Sequence, residues 1–232
     1  MSTDTLSEVL RAVRLTGAVF FKVEGSAPWV AEAPEAQLIA QYVMPGAEHV
    51  IEYHVLNRGS CWGGLVGEAP VHMQAGDVLV FPQGDAHVMS SAPGMRGPQS
   101  MDHFKKPALG QLPIAMSLNT PGPECAQLVC GFIGCDTRPF NPLLATLPRL
   151  LHIQQKSADD VALLTQLIRV AVAESSARNP GSETMLARLS ELLFIEVVRR
   201  YCATMPGDTK GWLAGLRDDV IGRTLSVLHD RP

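Results

Sequence analysis

The sequence predicts an α+β protein: an antiparallel β-barrel preceded by a short N-terminal helix and followed by a bundle of helices. Three observations carry that expectation. Up to about residue 140, short segments rich in β-branched and aromatic residues alternate with Gly/Pro turns. Beyond it the apolar period moves from two towards 3.6. Between Gly76 and His87, in GDVLVFPQGDAH, Val78, Val80 and Phe81 make a strand, Pro82 and Gly84 turn it, and His87 is delivered just past the turn. A strand, a punctuated turn and a placed imidazole describe a site on a barrel wall.

The elements follow in order. Leu6, Val9, Leu10 and Val13 share one face of a helix, with Thr5 or Ser7 near its cap. Strands are expected at 17–23, 37–44, 49–56, 61–66, 77–82 and 126–133, a spacing that suits a sandwich or barrel. Asn57-Arg58-Gly59-Ser60 reads as a hairpin turn between the third and fourth of these. Ser, Pro and Gly are frequent between Ser90 and Glu124, which predicts a long loop with one strand at 113–118. In 141–153 the interior Pro148 predicts one helical turn, a break and a second turn. Ser157 and Asp160 form a capping pair for a helix through Ala177 whose stripe is Leu163, Leu164, Leu167, Ile168 and Val172. Ser182 is the expected N-cap of the next helix, which runs to about Ala203. Its apolar residues, from Met185 to Val198, are too widely spread for one narrow stripe, so it needs cover from its own domain or from a partner chain. A last helix is expected at 218–229, with Val220, Ile221, Leu225 and Leu228 facing inwards.

The 232 residues are 46% hydrophobic, ample for a packed core. A formal net charge of -4 and a pI near 6.0 argue against a general nucleic-acid or membrane-surface binder, which needs a concentrated cationic face. The first residues mix acids with apolar positions and contain no h-region, and no apolar run reaches transmembrane length. Five cysteines without a C-x-x-C pair suggest reduced thiols, hence a cytoplasmic protein. G-x-S-x-G, P-loop and G-x-G-x-x-G patterns are absent, which disfavours a serine hydrolase, an NTPase and a dinucleotide enzyme.

Gly76, Pro82, Gly84 and His87 fit the spacing G-x5-P-x-G-x2-H, which resembles the second sequence motif of the cupin β-barrels, with Ser91 in place of its closing Asn. Of the cupin first motif, G-x5-H-x-H-x3,4-E-x6-G, the end is present as Glu52 and Gly59, but the paired histidines are replaced by residues among Pro45 to Glu48. The resemblance implies a jelly-roll barrel and, with that pair missing, argues against the three-histidine iron or manganese site of cupin enzymes. A different set remains. His54 lies two residues after Glu52 and shares its strand face, Cys61 opens the strand expected across the turn, and Cys130 lies on the last strong β-segment. His54, Cys61, His87 and Cys130 would suit tetrahedral Zn2+. The plainer alternative makes the cysteines small core hydrophobes and His54 a hydrogen-bonded wall residue.

Taken end to end, the chain resembles the N-terminal cupin-type regulatory region of an AraC-family transcriptional regulator. The resemblance is carried by LSEVLRAVRLTGAVFF, YHVLNRGSCW, AGDVLVFPQGDAHVMS, NPLLATLPRLLHI and RLSELLFIEVVRRY. GWLAGLRDDVIGRTLSVLH is similar to the segment leading into that family's helix-turn-helix region. It implies a barrel at 1–140 that senses a small-molecule effector, a helical dimerisation region at 141–206, and a linker with a first helix at 207–232. The implied homodimer contacts lie on 159–178 or 183–203, and DNA would be read only by a region C-terminal to this chain. The implied pocket draws on Glu52, Trp62 and His87, joined by His54, Cys61 and Cys130, and no catalytic residue is assigned. The alternative is a stand-alone metal-dependent cupin enzyme, an oxygenase or isomerase, holding its metal through His87, His54 and Glu52.

Overall fold

A computed structural model of the chain describes residues 6, 7, 10, 14–105, 112–118, 122, 124–137, 142–154, 162–177, 179–205 and 213. The strands are β1 (Thr16–Ser26), β2 (Val30–Ala33), β3 (His49–Leu65), β4 (Val71–Gln74), β5 (Val78–Phe81), β6 (His87–Ser90), β7 (Ile114–Leu118), β8 (Glu124–Cys135) and β9 (Leu151–Ile153). The helices are α1 (Ala36–Val43), α2 (Pro142–Thr146), α3 (Ala162–Ala177) and α4 (Ser182–Thr204). The sheet runs β2-β6-β3-β8-β1-β7, with β4 beside β3, and β5 between β3 and β9.

Period-two alternation divides the interior into two cores. Ile51, Tyr53 and Val55 of β3, Val78 and Val80 of β5, and Val129 and Ile133 of β8 face the helices, where Leu164, Ile168, Leu193, Phe194 and Val197 cover them. The intervening Val50, Leu56, Leu79, Phe81, Leu128 and Phe132 face into the curled sheet, where they meet Phe21, Val23 and Trp29. Strands buried on both faces read as near-continuous apolar runs, which is why β3, β5 and β8 are so evident in the sequence. Helix α4 lies close enough to β1 that a Cβ on Gly17 would stand 2.4 Å from the Ala187 carbonyl oxygen. The Tyr53 hydroxyl shares a hydrogen bond with Ser190 Oγ at 2.7 Å, and Ser190 Oγ lies 2.8 Å from the Leu186 carbonyl oxygen. The strand is thereby tied to the helix.

Several expectations need correction. Residues 37–44 are not a strand: 37–43 lie in α1 and Met44 is its C-cap. Ala36, Ile39 and Val43 are its buried residues, at helical spacing, and Leu38 points outwards. Asn57–Ser60 is not a hairpin turn. β3 continues through it with a bend, pairing with β5 up to Val55, with β8 up to Gly59, with β4 from Ser60 and with β6 from Trp62. The second helical turn expected before residue 153 is instead β9, because Pro148 stops the helix and the edge of β5 offers a ladder, Val80 opposite Leu151. His152 on β9 reaches Asp77 at 3.0 Å. The region 141–206 thus contributes a strand as well as helices. The sheet is mixed, since β7 pairs parallel to β1. Ser182 does not cap α4: Gly181 is the N-cap, and the Ser182 hydroxyl bonds Glu174. The short strands β2, β4 and β6 have no counterpart among the expected ones. Val9, Val13, the Ser157–Asp160 cap and the helix at 218–229 lie outside the described residues, while Leu6 and Leu10 pack against the helix-side core. No helix among the described residues is long and apolar enough to cross a membrane.

Candidate functional site

The alternation that sends Tyr53 towards α4 turns Glu52 and His54 the other way, into the curled sheet. Opposite His54 stand Leu79 on β5 and Cys130 on β8, and opposite Glu52 stand Phe81 and Phe132. After Phe81 the chain turns through Pro82 and Gly84, and His87 opens β6 with its ring stacked on that of Phe81 at 3.8 Å. Three polar side chains from two strands therefore meet in an apolar setting: Glu52, His54 and His87 are all buried, and their candidate ligand atoms lie within 4.8 Å of one another.

Hydrogen bonding settles the tautomers of the uncharged pair. His87 Nδ1 lies 2.9 Å from the Asp85 carbonyl oxygen, which can only accept, so Nδ1 carries the proton and Nε2 presents a lone pair. His54 Nε2, 2.6 Å away, then donates to it, and His54 Nδ1 is left as an acceptor. Glu52 Oε2 is 3.7 Å from His87 Nε2. Glu52 Oε1 and His54 Nδ1 have no hydrogen-bond partner among the described residues. Burial pushes the Glu52 carboxyl well above the ordinary range. Burial, reinforced by neighbouring His87, holds His54 well below its ordinary value, and burial lowers His87 to about 4 against the opposing pull of the Asp85 carbonyl. For all three, burial disfavours the charged form. Two imidazoles and a carboxylate so close together could hold a metal ion.

The group lies on the wall of a cavity of about 170 Å³. Glu52 and His87, both expected at a pocket, line it, as do His54 and Cys130. Trp62, also expected there, does not: its ring packs on His72, 5.0 Å between centroids. Cys61 is displaced as well. With no turn at 57–60 it continues along the strand that carries His54 rather than crossing opposite it, and its sulfur lies 3.9 Å from Met73 Sδ. The buried ligand group is therefore Glu52, His54 and His87, and neither Cys61 nor Cys130 belongs to it. Burial pushes both thiols up, that of Cys61 to about 12, away from thiolate chemistry. Met89 and Met116 line the cavity too, and the rest of the wall was not singled out from the sequence: Phe21 and Val23 on β1, Trp29, Phe132, and Phe104, whose ring meets Phe21 edge-on at 5.6 Å. The alternation of Phe21 and Val23 marks them as inward-facing, but nothing local says that they border a space.

A family model described as Cupin matches residues 4–203. The chain belongs to the cupin family. It is 25% identical to the HTH-type transcriptional regulator AlkR of Acinetobacter baylyi over 231 residues, 99% of this chain and 71% of that protein. It is 23% identical over 188 residues to a Streptomyces lividans protein named as an AraC-like transcription regulator, of which it spans 59%. A crystal structure of ToxT from Vibrio cholerae aligns over 89% of this chain and 62% of that one, with 7% identity and a TM-score of 0.33. Within the cupin pattern, Glu52 and His87 occupy motif positions, whereas His54 supplies a second imidazole from the side of Glu52 where the motif has none.

One wall of the cupin cavity is a strap. Pro98, Ser100, His103 and Phe104 reach the cavity from a segment whose regular structure is one 3-10 turn at Asp102–Phe104. Glu32 on β2 holds it down: its carboxylate accepts from Arg96 at 2.6 and 2.8 Å, from the Gly97 amide at 3.2 Å and from Gln99 at 3.2 Å. Arg96 keeps that carboxylate below the ordinary range. Glu32→Gln should speed amide hydrogen exchange across 96–104 severalfold while β3 and β8 keep their protection. Unchanged exchange there would refute Glu32 as the latch.

Proposed function

We propose that this chain is the effector-sensing and dimerising region of an AraC-type transcription regulator. The observation that carries the reading is the aromatic-walled cavity on one face of a sheet whose other face packs on a helix pair. A small molecule taken into the barrel touches β3 and β8, and the same strands support α3 and α4. On the helix pair, Leu163 and Val170 of α3, and Met185 and Leu192 of α4, are exposed at two-turn spacing, a face suited to a second copy. In this proposal residues 1–140 sense, 141–206 dimerise and 207–232 lead onward. DNA is read by the length that its regulator relatives have beyond the matched part.

Sedimentation equilibrium tests the dimer. The chain is expected to be dimeric at micromolar concentration, and the double variant Met185→Glu with Leu192→Glu is expected to be monomeric, with its melting temperature within about 2 °C of the parent. A monomeric parent would remove the dimerising part of the proposal.

The two Nε2 atoms 2.6 Å apart, beside a carboxylate oxygen without a partner, support a second reading in which Glu52, His54 and His87 hold zinc. Such an ion would supply a Lewis-acidic contact for an oxygen of the effector. Metal analysis of the purified chain decides: one equivalent of zinc, lost in His87→Ala, supports that reading, and its absence leaves the metal-free site. Iron or manganese accompanied by turnover would instead restore an enzyme.

A further inference from the structure

We propose that the barrel takes an uncharged, largely apolar effector of about single-ring size, with one hydroxyl-type group turned towards Glu52 and His54. The inference deepens the effector-sensing reading, rests on it, and takes the cavity wall as the protein side chains alone form it.

Size comes first. At about 170 Å³ the space is close to that of an engineered apolar cavity of roughly 150 Å³ that binds benzene, so a ring with one or two substituents fills it. The walls agree: Phe21, Trp29, Phe104 and Phe132 present ring faces and edges, with Met89 and Met116 as adaptable filling between them.

Charge is the second constraint. No lysine or arginine lines the cavity among the described residues. Arg96 is paired with the lining residue Glu32, whose carboxylate is already met by four donors. A carboxylate or phosphate brought into this space would be buried without a counter-charge, a cost that a ring's worth of apolar burial does not offset. Glu32 is equally unable to receive an ammonium group without releasing the strap.

Polarity is the third. Among the described residues the wall carries one buried polar group outside the strap contacts, Glu52–His54–His87, and two of its atoms, Glu52 Oε1 and His54 Nδ1, have no partner there. One is a carboxyl oxygen and the other an acceptor nitrogen. A hydroxyl is the smallest group that can give one of these atoms a hydrogen bond, whereas a bare hydrocarbon leaves both orphaned.

Four molecules of one size separate the possibilities: toluene, benzyl alcohol, benzoate and benzylamine, each titrated against the 232-residue chain by calorimetry and by thermal shift. Benzyl alcohol should bind best, toluene next, and saturating benzyl alcohol should raise the melting temperature by about 2 °C or more. Benzoate should bind at least about tenfold more weakly than benzyl alcohol. Leu128→Trp, which fills the cavity, should abolish the response, and Glu52→Ala should narrow the gap between benzyl alcohol and toluene. Tight binding of benzoate or benzylamine would overturn the uncharged class yet leave an effector cavity standing. Silence from all four rings would overturn both the class and the effector-sensing reading beneath it.

Discussion

Gly59→Ala is expected to destabilise the protein by more than about 3 kcal/mol, well beyond the usual effect of adding one methyl group. Gly59 has φ +81°, a left-handed conformation that costs a residue with a Cβ about 1–2 kcal/mol. The larger part is steric. A Cβ there would lie 1.9 Å from the Cys125 carbonyl oxygen, and that oxygen is backbone, held within the β3–β8 pairing where Gly59 faces Ala126. Either β8 moves or β3 loses its bend. Gly67 provides the control, with φ +85° and nothing within 4 Å of an added Cβ. Gly67→Ala therefore measures the dihedral cost alone. Urea denaturation of both variants gives the difference, and equal losses would show that the close approach at Gly59 does not exist.

The same residue explains what the sequence conceals. Asn57-Arg58-Gly59-Ser60 has turn composition, and locally a left-handed glycine between polar residues is what a hairpin uses. Here the glycine lets one 17-residue strand bend from one set of partners to another, a distinction made by β8 more than sixty residues away. The error propagated to the site. Placing Cys61 across a turn from His54 suggested a two-thiol zinc set, whereas the uninterrupted strand carries Cys61 away to Met73 and leaves Glu52 as the third member of the group. What local spacing does determine was legible: Glu52 and His54 at i and i+2 share a face, and the strand–turn–histidine pattern delivers His87 beside them. The cavity itself was not. Phe21, Trp29, Phe104 and Phe132 come from four separate segments, and their convergence is a property of the sheet's curl rather than of any period.

Helix α1 shows the complementary ambiguity. AQLIAQYV satisfies both a two-residue and a three-to-four-residue apolar period, and eight residues are too few to separate them. Burial of Ala36, Ile39 and Val43 against the barrel-side core decides it.

Phe194→Ala is the other substitution with a large expected effect, a loss of about 3–5 kcal/mol. The side chain is 0% exposed and belongs to the core between α4 and the sheet, whereas Leu192 on the same helix is 51% exposed. Leu192→Ala should therefore change monomer stability by less than about 0.5 kcal/mol. A domain of this kind is stable by about 5–15 kcal/mol, so the Phe194 variant stands close to unfolding at physiological temperature. The consequence reaches the other face of the sheet. Phe194 belongs to the cluster that holds Ile51, Tyr53 and Val55, and these alternate along β3 with Glu52 and His54 on the cavity wall. The void left on the helix side removes packing from the backbone that positions the site, so benzyl alcohol should bind more weakly to Phe194→Ala even at a temperature where the variant is fully folded. An affinity equal to that of the parent would mean that the sheet keeps its two faces mechanically independent, which the Tyr53–Ser190 hydrogen bond and the shared strand argue against.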